Sequence, residues 1–457
     1  MIGKRCFLVL QSGTEKILKI IENNYIPIML FSLALLLHSL ALNVPYSKYD
    51  EDFYGNVAAH ILENPLNPLS PDPNIWTTTH GPIFPYLMAS NMYLFGDHYI
   101  STRIMVALMG SISVLVIYFF VMKLFGKKIG VMTALLIAVS PEHWSLSMQA
   151  ITDIPFFLFF ICSIYFIYMG IENNKNMMMW LGGIFSGLSI LTSYTGLMII
   201  PIFFLYLLLT GRIRLFFSKR VFLSIVIIPL LMTGIWLLYM LANPGSITNM
   251  FGISAYLTFG TLVPRYQVLG NLSVLLLLGV FPLAYFPYTY VLKQYFSPKY
   301  VISGLIVFYL IAFFILRLIF PPDVPVHGAE GLWAVESLLN HIHPALFNLA
   351  KLLLYLFSIV SMIGFFISTY VGAKNKKNEF ILLGCWAAII ILFVLVIGYI
   401  SYPRYLLPAL PAFFIIINLE LENFSKKGLI YKQVSSLIFI ALMLIFLIVG
   451  FYKAFSF

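Results

Sequence analysis

Apolar runs long enough to cross a bilayer recur along almost the whole of this 457-residue chain. A bilayer core of about 30 Å needs roughly 20 apolar residues in helical form. With 61% hydrophobic and 10% charged residues, the composition departs from that of a soluble domain, which is about half apolar and a quarter charged. The sequence therefore predicts an all-α polytopic membrane protein.

Thirteen membrane-spanning segments are predicted, and the third, fifth and sixth are short. Their bounds are 25–45, 101–122, 128–141, 154–171, 178–192, 195–210, 221–241, 271–292, 301–319, 346–372, 380–399, 404–420 and 434–453. The region 178–210 could instead be one broken hairpin that turns at Thr192-Ser193-Tyr194. We expect a cytoplasmic N-terminus over 1–24, a transmembrane core over 25–420, and a cytoplasmic loop with the last helix over 421–457.

Charged residues are distributed unequally between the two sides of this topology. With a cytoplasmic N-terminus, 20 of the 27 Lys and Arg residues fall in predicted inner segments, as the positive-inside rule requires. The net charge of +10 therefore reflects orientation in a cell membrane, and no nucleic-acid partner is expected. Eleven of the 17 acidic residues fall on the outer side, a bias that the rule does not explain.

The predicted outer loops are longer than the inner ones, so function is expected on the outer face. The substantial outer loops are 46–100, 142–153, 242–270 and 320–345. Helical periodicity over 52–64 predicts a helix lying in the membrane interface. Its expected apolar face consists of Phe53, Val57, Ile61 and Leu62. A second interfacial helix is predicted over 82–95, where aromatic side chains favour the headgroup region.

Two acidic positions in outer segments could carry chemistry. Asp50, Glu51 and Asp52 directly follow the first span, and one of these carboxylates could act as a general base or hold a cation. The alternative is a solvated loop with an N-cap aspartate. Asp153 begins the fourth span, and an ionisable residue at membrane depth is a functional candidate. Its alternative is also an N-cap, with Pro155 in the first turn.

Arginine and histidine residues in outer segments are candidates for binding an anion or a metal. Arg404 opens the twelfth span and could bind a phosphate bidentately, or it could be a snorkelling anchor. Arg265 is a weaker candidate of the same kind. His80 lies in the first loop, and the spacing of His341 and His343 suits metal binding on a strand. The sequence has no P-loop, no G-x-G-x-x-G and no H-E-x-x-H, which argues against ATP-driven chemistry.

Four of these segments, in order, resemble the GT-C superfamily of integral-membrane glycosyltransferases. The likeness is to the branch that contains the protein O-mannosyltransferases and the bacterial aminoarabinose lipid A transferase. The matching residues are Asp50, Glu51, Tyr54 and Ala58 of D-E-x-x-Y-x-x-x-A, His80-Gly81-Pro82-Ile83, Asp153, and Arg404-Tyr405-Leu406-Leu407-Pro408 with Pro411. The resemblance covers about 25–420. Ser193-Tyr194 stand where many members have a lysine, and the W-W-D-Y-G signature of oligosaccharyltransferases is absent.

The resemblance implies an inverting glycosyltransferase that uses a dolichyl- or undecaprenyl-phosphate sugar and a hydroxyl of a lipid, glycan or protein acceptor on the outer face. Asp50 would be the base with support from Glu51, while Asp153 would orient the acceptor or join Asp50 in holding Mg²⁺ or Mn²⁺. Arg404 and His80 would bind the phosphate. The remaining substrate-binding residues would be Tyr54, Arg265 and Tyr405.

Two other functions are compatible with this topology. A secondary transporter or lipid-sugar flippase would have acidic residues within its spans and inverted repeats. Here most acidic residues lie at outer edges, and no repeat is evident. A polymerase or ligase of lipid-linked glycans would share the topology and the outer site, so it remains an alternative.

Overall fold

A computed structural model describes residues 25–40, 42, 50–68, 81–96, 99–243, 360–375, 377–397 and 403–455. The regular secondary structure in these ranges is entirely helical, which confirms the predicted fold class. Numbered in chain order within these ranges, the α-helices are α1 (Tyr25–Ser39), α2 (Asp50–Glu63), α3 (Ile83–Phe95), α4 (Tyr99–Phe125), α5 (Lys127–Val139), α6 (Pro141–Ser147), α7 (Asp153–Glu172), α8 (Asn176–Thr192), α9 (Ile199–Leu209), α10 (Ile213–Phe216), α11 (Lys219–Phe222), α12 (Ile228–Ala242), α13 (Val360–Lys374), α14 (Asn378–Ile397), α15 (Leu410–Ser425) and α16 (Leu429–Phe455). The 3₁₀ segments are Tyr194–Met198 and Pro403–Ala409, and Leu223–Ile227 is a π-helix.

Several helices meet the requirements of length and apolarity for a membrane span, and the chain is a multi-pass membrane protein. In the described ranges, five continuous helical stretches pass this test: Ile100–Phe125, Asp153–Glu172, Lys219–Ala242, Arg404–Ser425 and Leu429–Phe451. The pair α5 and α6 passes as one span that bends by 60° at Ser140. The predicted spans 271–292 and 301–319 lie outside the described residues, so the count of thirteen stays a prediction.

The break predicted at Thr192-Ser193-Tyr194 is present. Helix α8 ends at Thr192, Ser193 is extended with φ −147° and ψ 132°, and a 3₁₀ turn leads into α9. Gly196 lies against the end of α8, where a Cβ would stand 2.6 Å from the backbone nitrogen of Ile190. Helix α9 then packs against α14 and is separate from α8.

The directions of α7, α8 and α9 alternate, as the predicted topology requires. Asp153 at the start of α7 and Ser193 at the end of α8 line one pocket. At the other end of α7, Glu172 accepts a hydrogen bond of 2.6 Å from Arg212, which follows α9. Lys128 and Glu422 also form an ion pair. We call the end with Asp153 the site end and the end with Glu172 the opposite end.

Helices α2 and α3 pack on each other at the site end, and Tyr54 meets Phe84 edge-on at 5.1 Å between ring centroids. Both helices lie where the sequence predicts interfacial helices. The predicted apolar face of α2 was wrong in part, because Leu62 is 41% exposed while Tyr54 and Ala58 are buried. The buried face continues the row of Val57 and Ile61 toward the start of the helix, since residues three and four apart share one face.

Candidate active site

A pocket at the site end is lined by side chains from four distant stretches of the chain. The pocket is partly open to solvent. The described lining consists of Asp50, Tyr54, Ile151, Thr152, Asp153, Phe156, Ser193, Thr195, Arg404 and Tyr405. Five predicted site residues therefore meet in one place: Asp50, Tyr54, Asp153, Arg404 and Tyr405.

Helix α2 supplies Asp50 and Tyr54 from its first two turns. A spacing of four residues puts both side chains on one helical face. Asp50 is in the first turn, where a carboxylate is favoured by the helix dipole. Its side chain is 49% exposed, so it is open to a substrate.

Asp153 is the first residue of α7 and projects from the end of a membrane-spanning helix. Thr152, rather than Asp153, occupies the N-cap position, and Pro155 lies in the first turn. The alternative in which Asp153 is the N-cap is therefore wrong. Asp153 is partly exposed as a residue, and the other acid among the described lining residues is Asp50.

Arg404 lies in the 3₁₀ segment Pro403–Ala409, ahead of α15. Pro408 lies inside this segment, and since it lacks a backbone N–H it cannot donate to the regular bonding of an α-helix that would otherwise start here. Arg404 Nη1 donates to Asp50 Oδ2 at 2.9 Å, and the guanidinium also interacts electrostatically with Asp153. The Arg404 guanidinium therefore stabilises the charged forms of both the Asp50 and the Asp153 carboxylates.

Tyr54 is a buried hydroxyl donor in the wall of the pocket. Burial raises the pKa of Tyr54 far above its ordinary value, although a hydrogen bond with Thr152 acts in the other direction. The nearby carboxylates of Asp50 and Asp153 raise this pKa further, while Arg404 lowers it. Tyr54 is therefore neutral in the working range of an enzyme.

Glu51 is not part of the described pocket lining, in contrast to the expectation that it supports Asp50 there. Its side chain is fully buried and forms an ion pair of 2.7 Å with Arg103 on α4. The reason is helical geometry, because the residue after Asp50 points about 100° away from it around α2. Arg103 was not singled out by sequence reasoning.

His80 and Arg265 lie outside the described residues, as do His341 and His343. The residue after His80 is described. Gly81 approaches the end of α8 so closely that a Cβ would stand 1.9 Å from the carbonyl oxygen of Leu191. Leu191 is two residues before Ser193 of the pocket.

Hydroxyl groups of the pocket wall were missed by sequence reasoning. Thr152, Ser193 and Thr195 all line the pocket, and Ser193 Oγ lies 2.5 Å from Thr195 Oγ1. One signal was available, since Ser193-Tyr194 stand where the resembled family often has a lysine. Hydroxyls here can bond to sugar or phosphate oxygens without adding charge.

The described part of the site offers two carboxylates to a divalent metal, those of Asp50 and Asp153. Among the residues that the structure describes, no three His, Cys, Asp or Glu side chains gather as a metal site. Mg²⁺ prefers about six oxygen ligands, so these two carboxylates would hold it only together with waters or substrate phosphate oxygens. The Arg404 guanidinium already bonds to Asp50 and would repel a cation placed between the acids.

Comparison with known proteins agrees with the resemblance seen in the sequence. The family described as dolichyl-phosphate-mannose-protein mannosyltransferase matches residues 79–239, which include Asp153 and Ser193. No curated protein sequence matches significantly.

Three solved structures are similar to the chain. The Archaeoglobus fulgidus oligosaccharyltransferase with Zn and sulfate has a TM-score of 0.52 and 15% identity over 94% of this chain and 53% of that one. AglB from the same organism, with an inhibitory peptide and a dolichol-phosphate, has a TM-score of 0.51 and 15% identity over 95% and 55%. The chain thus spans about half of their length. ArnT from Cupriavidus metallidurans bound to undecaprenyl phosphate has a TM-score of 0.47 and 14% identity over 88% and 80%.

The oligosaccharyltransferase structures show the shared fold, and the family match covers the helices from α3 to most of α12. The pocket lies among the segments that carry the sequence resemblance. The family match over 79–239 and the shared fold agree with the sequence resemblance to the GT-C superfamily of membrane glycosyltransferases.

Proposed function

We propose that this enzyme moves a sugar from a dolichyl- or undecaprenyl-phosphate donor to a hydroxyl of a lipid, glycan or protein acceptor, with inversion at the anomeric carbon. The observation that carries the proposal is the ion pair between Arg404 and Asp50 inside the pocket. In this pair a group suited to binding phosphate, the Arg404 guanidinium, is hydrogen-bonded to a proton acceptor, the Asp50 carboxylate. The family description, which names a dolichyl-phosphate-mannose donor, supports the lipid phosphate.

In this reaction, the acceptor oxygen forms a bond to the sugar C1 while the bond from C1 to the phosphate oxygen breaks. The leaving lipid phosphate takes the electron pair, and the acceptor proton passes to the Asp50 carboxylate. Arg404 stabilises the phosphate, because a guanidinium matches two phosphate oxygens. The developing charge at the leaving group is thereby offset where it forms.

The ion pair explains how Asp50 could become available as a base. An incoming phosphodiester competes with Asp50 for Arg404, and any guanidinium bond that it gains is withdrawn from the carboxylate. A carboxylate with fewer charged donors is a stronger proton acceptor. Donor binding would thus activate the base at the moment when the acceptor can be used.

Asp153 and Tyr54 are assigned to binding and orientation. Asp153 is a second carboxylate in the pocket and can accept hydrogen bonds from sugar or acceptor hydroxyls. Tyr54 stays neutral and can donate one. We keep Tyr405, whose ring lies 5.8 Å from the Arg404 guanidinium carbon, as a substrate-binding residue.

We place the pocket on the outer face of the cell membrane, with the N-terminus in the cytoplasm. Basic residues are concentrated toward the opposite end, where Lys128 pairs with Glu422 and Arg212 pairs with Glu172. That bias is the signature of a cytoplasmic face. A donor delivered to the outer leaflet would then reach Arg404 from the headgroup region.

The test is to incubate purified protein with labelled polyprenyl-phosphate sugars and candidate acceptors, and to measure released polyprenyl phosphate. We expect release by the wild type, and loss of release in Asp50→Asn and in Arg404→Ala. Asp52→Asn is the matched control, because Asp52 is exposed in the same turn of α2 and is not in the described lining. Full activity in folded Asp50→Asn and Arg404→Ala would refute the assignment.

The same assay separates the two alternatives. A flippase would move the labelled lipid across a vesicle membrane without cleaving its phosphate–sugar bond. A polymerase or ligase would release lipid carrier but yield products that contain more than one transferred sugar. A single added sugar per acceptor is the result expected here.

A further inference from the structure

Glu51 and Arg103 form a buried, two-point ion pair behind the pocket. Arg103 Nη2 donates to Glu51 Oε2 at 2.7 Å, and Arg103 Nε donates to Glu51 Oε1 at 2.9 Å. The Glu51 side chain is 0% exposed and that of Arg103 is 3% exposed. Two parallel bonds of this kind fix both the distance and the angle between the groups, so α2 and α4 are held in one relative position.

Two more hydrogen bonds extend this pair to other parts of the chain. The backbone N–H of Ala150 donates to Glu51 Oε1 at 2.6 Å, and Arg103 Nη1 donates to the carbonyl of Leu42 at 3.0 Å. Ala150 lies between α6 and α7, three residues before Asp153. Glu51 is the residue after Asp50. One buried carboxylate therefore ties the start of α2 to the segment that leads into α7.

We propose that Arg103 is a positioning residue for the transfer reaction: by holding Glu51, it sets the separation between Asp50 and Asp153. The expected effect on the transfer rate rests on the proposed function. The expected effect on the position of α2 rests on the four hydrogen bonds. Without Arg103, the buried Glu51 carboxylate would lose this ionic partner, and removing one partner of a buried ion pair is strongly destabilising. The Glu51 side chain would then turn, and its hydrogen bond with the Ala150 N–H would weaken.

The arginine side chain is needed for its shape as well as its charge. Its planar fork reaches both oxygens of Glu51 and the carbonyl of Leu42 together. A lysine at this position would keep the charge but offers one ammonium group that cannot make these bonds in the same geometry. Arg103→Lys is thus the conservative variant that separates charge from positioning.

The kinetic expectation follows from the sensitivity of group transfer to geometry. A misplacement of about 1 Å can cost ~100-fold in rate, so we expect kcat to fall by ~10-fold in Arg103→Lys and by ~100-fold in Arg103→Gln. The KM for the donor should change by less than about 3-fold, because Arg404 lies on another element. In Glu51→Gln with Arg103→Gln, both buried charges are gone, and kcat should exceed that of Arg103→Gln.

The experiment combines these kinetics with hydrogen exchange on the full-length protein in a bilayer mimic. Exchange is followed in peptides that contain Ala150, whose amide is bonded to Glu51. Arg103→Lys should speed exchange there and leave exchange around 206–214 unchanged. Arg212→Lys is the matched control, an arginine in an ion pair of 2.6 Å at the opposite end. It should change neither kcat nor exchange at Ala150.

Two results would overturn the inference. One is an unchanged exchange rate at Ala150 in Arg103→Lys, which would show that Arg103 does not hold this segment. The other is faster exchange with wild-type kcat at a temperature where both proteins are folded, which would leave Arg103 a stability role only. If the wild type released no lipid phosphate, the proposed function would fail, and the exchange measurement would still decide the structural part.

Discussion

Arg404 Nη1 lies 2.9 Å from Asp50 Oδ2, although 354 positions separate the two residues in the chain. The pair joins the helix that follows the first predicted span to a 3₁₀ turn near the end of the hydrophobic core. Its location inside a pocket that also contains Asp153 makes the balance between these three charges the central property of the site.

Removal of the Arg404 charge should weaken donor binding and also slow chemistry on bound donor, because Arg404 is assigned to the phosphate both before and after it leaves. A hydrogen bond to a charged group contributes about 1.5–3 kcal/mol, so Arg404→Gln should raise the donor KM by roughly 10- to 100-fold. Arg404→Lys keeps the charge, so its donor KM should lie between that of the wild type and that of Arg404→Gln. The measurement is donor dependence of lipid phosphate release, with Arg214→Gln at an exposed position of α10 as the control. An unchanged donor KM in Arg404→Gln would contradict the phosphate assignment.

The Tyr54 hydroxyl should contribute a hydrogen bond to the transfer reaction but should not ionise in the working pH range. Its pKa is raised above the ordinary value of 10 by burial, so the group stays protonated throughout the range below that value. Tyr54→Phe should lower kcat by about 5-fold, the equivalent of one neutral hydrogen bond, without moving either limb of the pH–rate profile. Tyr86→Phe is matched, since Tyr86 donates to the Pro65 carbonyl outside the pocket lining. A shifted alkaline limb in Tyr54→Phe would show that Tyr54 titrates.

The architecture could be predicted from sequence because it depends on apolar length, which each segment carries by itself. The break at Ser193 and the interfacial helix over 82–95 were also found locally, from polar and aromatic residues. The exposure of Leu62 could not be predicted from the local sequence, because an apolar residue at the edge of a helical face is buried only where a neighbouring element covers it. Which element covers α2 depends on long-range packing that periodicity does not encode.

The candidate site divides in the same way. Asp50, Asp153 and Arg404 were found because they are charges at the ends of apolar runs. Glu51 was predicted to support Asp50 because the two residues are adjacent in sequence. A helix, however, points adjacent residues in different directions. The ion-pair partner of Glu51, Arg103, lies 52 positions away in the chain. Ser193 and Thr195 are small neutral hydroxyls, and nothing in their local sequence separates a pocket wall from a turn.

Gly81 should tolerate no side chain. A Cβ there would stand 1.9 Å from the Leu191 carbonyl oxygen, so Gly81→Ala must displace the start of α3 or the end of α8. We expect a loss of about 1–3 kcal/mol of stability, typical of overpacking, together with reduced activity because Ser193 lies near the contact. Gly234→Ala is the control, since a Cβ at Gly234 would meet nothing within 4 Å. The two variants are compared by thermal unfolding in detergent. Equal unfolding midpoints for Gly81→Ala and Gly234→Ala would contradict the predicted clash with the Leu191 carbonyl oxygen.

The orientation can be checked with single cysteines in a background where Cys6 is replaced by serine, because Cys162 and Cys385 are buried. Asn64 and Lys426 are exposed on elements that the topology assigns to opposite faces. Asn64→Cys should react with a membrane-impermeant maleimide in intact cells. Lys426→Cys should react only after permeabilisation. The reverse pattern would place the pocket in the cytoplasm.

The long separation between Asp50 and Arg404 also has a consequence for the life of the newly made enzyme. Asp50 leaves the ribosome 354 residues before Arg404 does, which at a synthesis rate of about 5–20 residues per second is a delay of roughly 20 to 70 s. During that interval the nascent chain already has its first helices in the membrane but lacks Arg404, the arginine that we propose binds the phosphate. Incomplete chains released by early termination would therefore be inert toward the lipid-linked sugar pool, so truncation would abolish activity without producing an unregulated transferase.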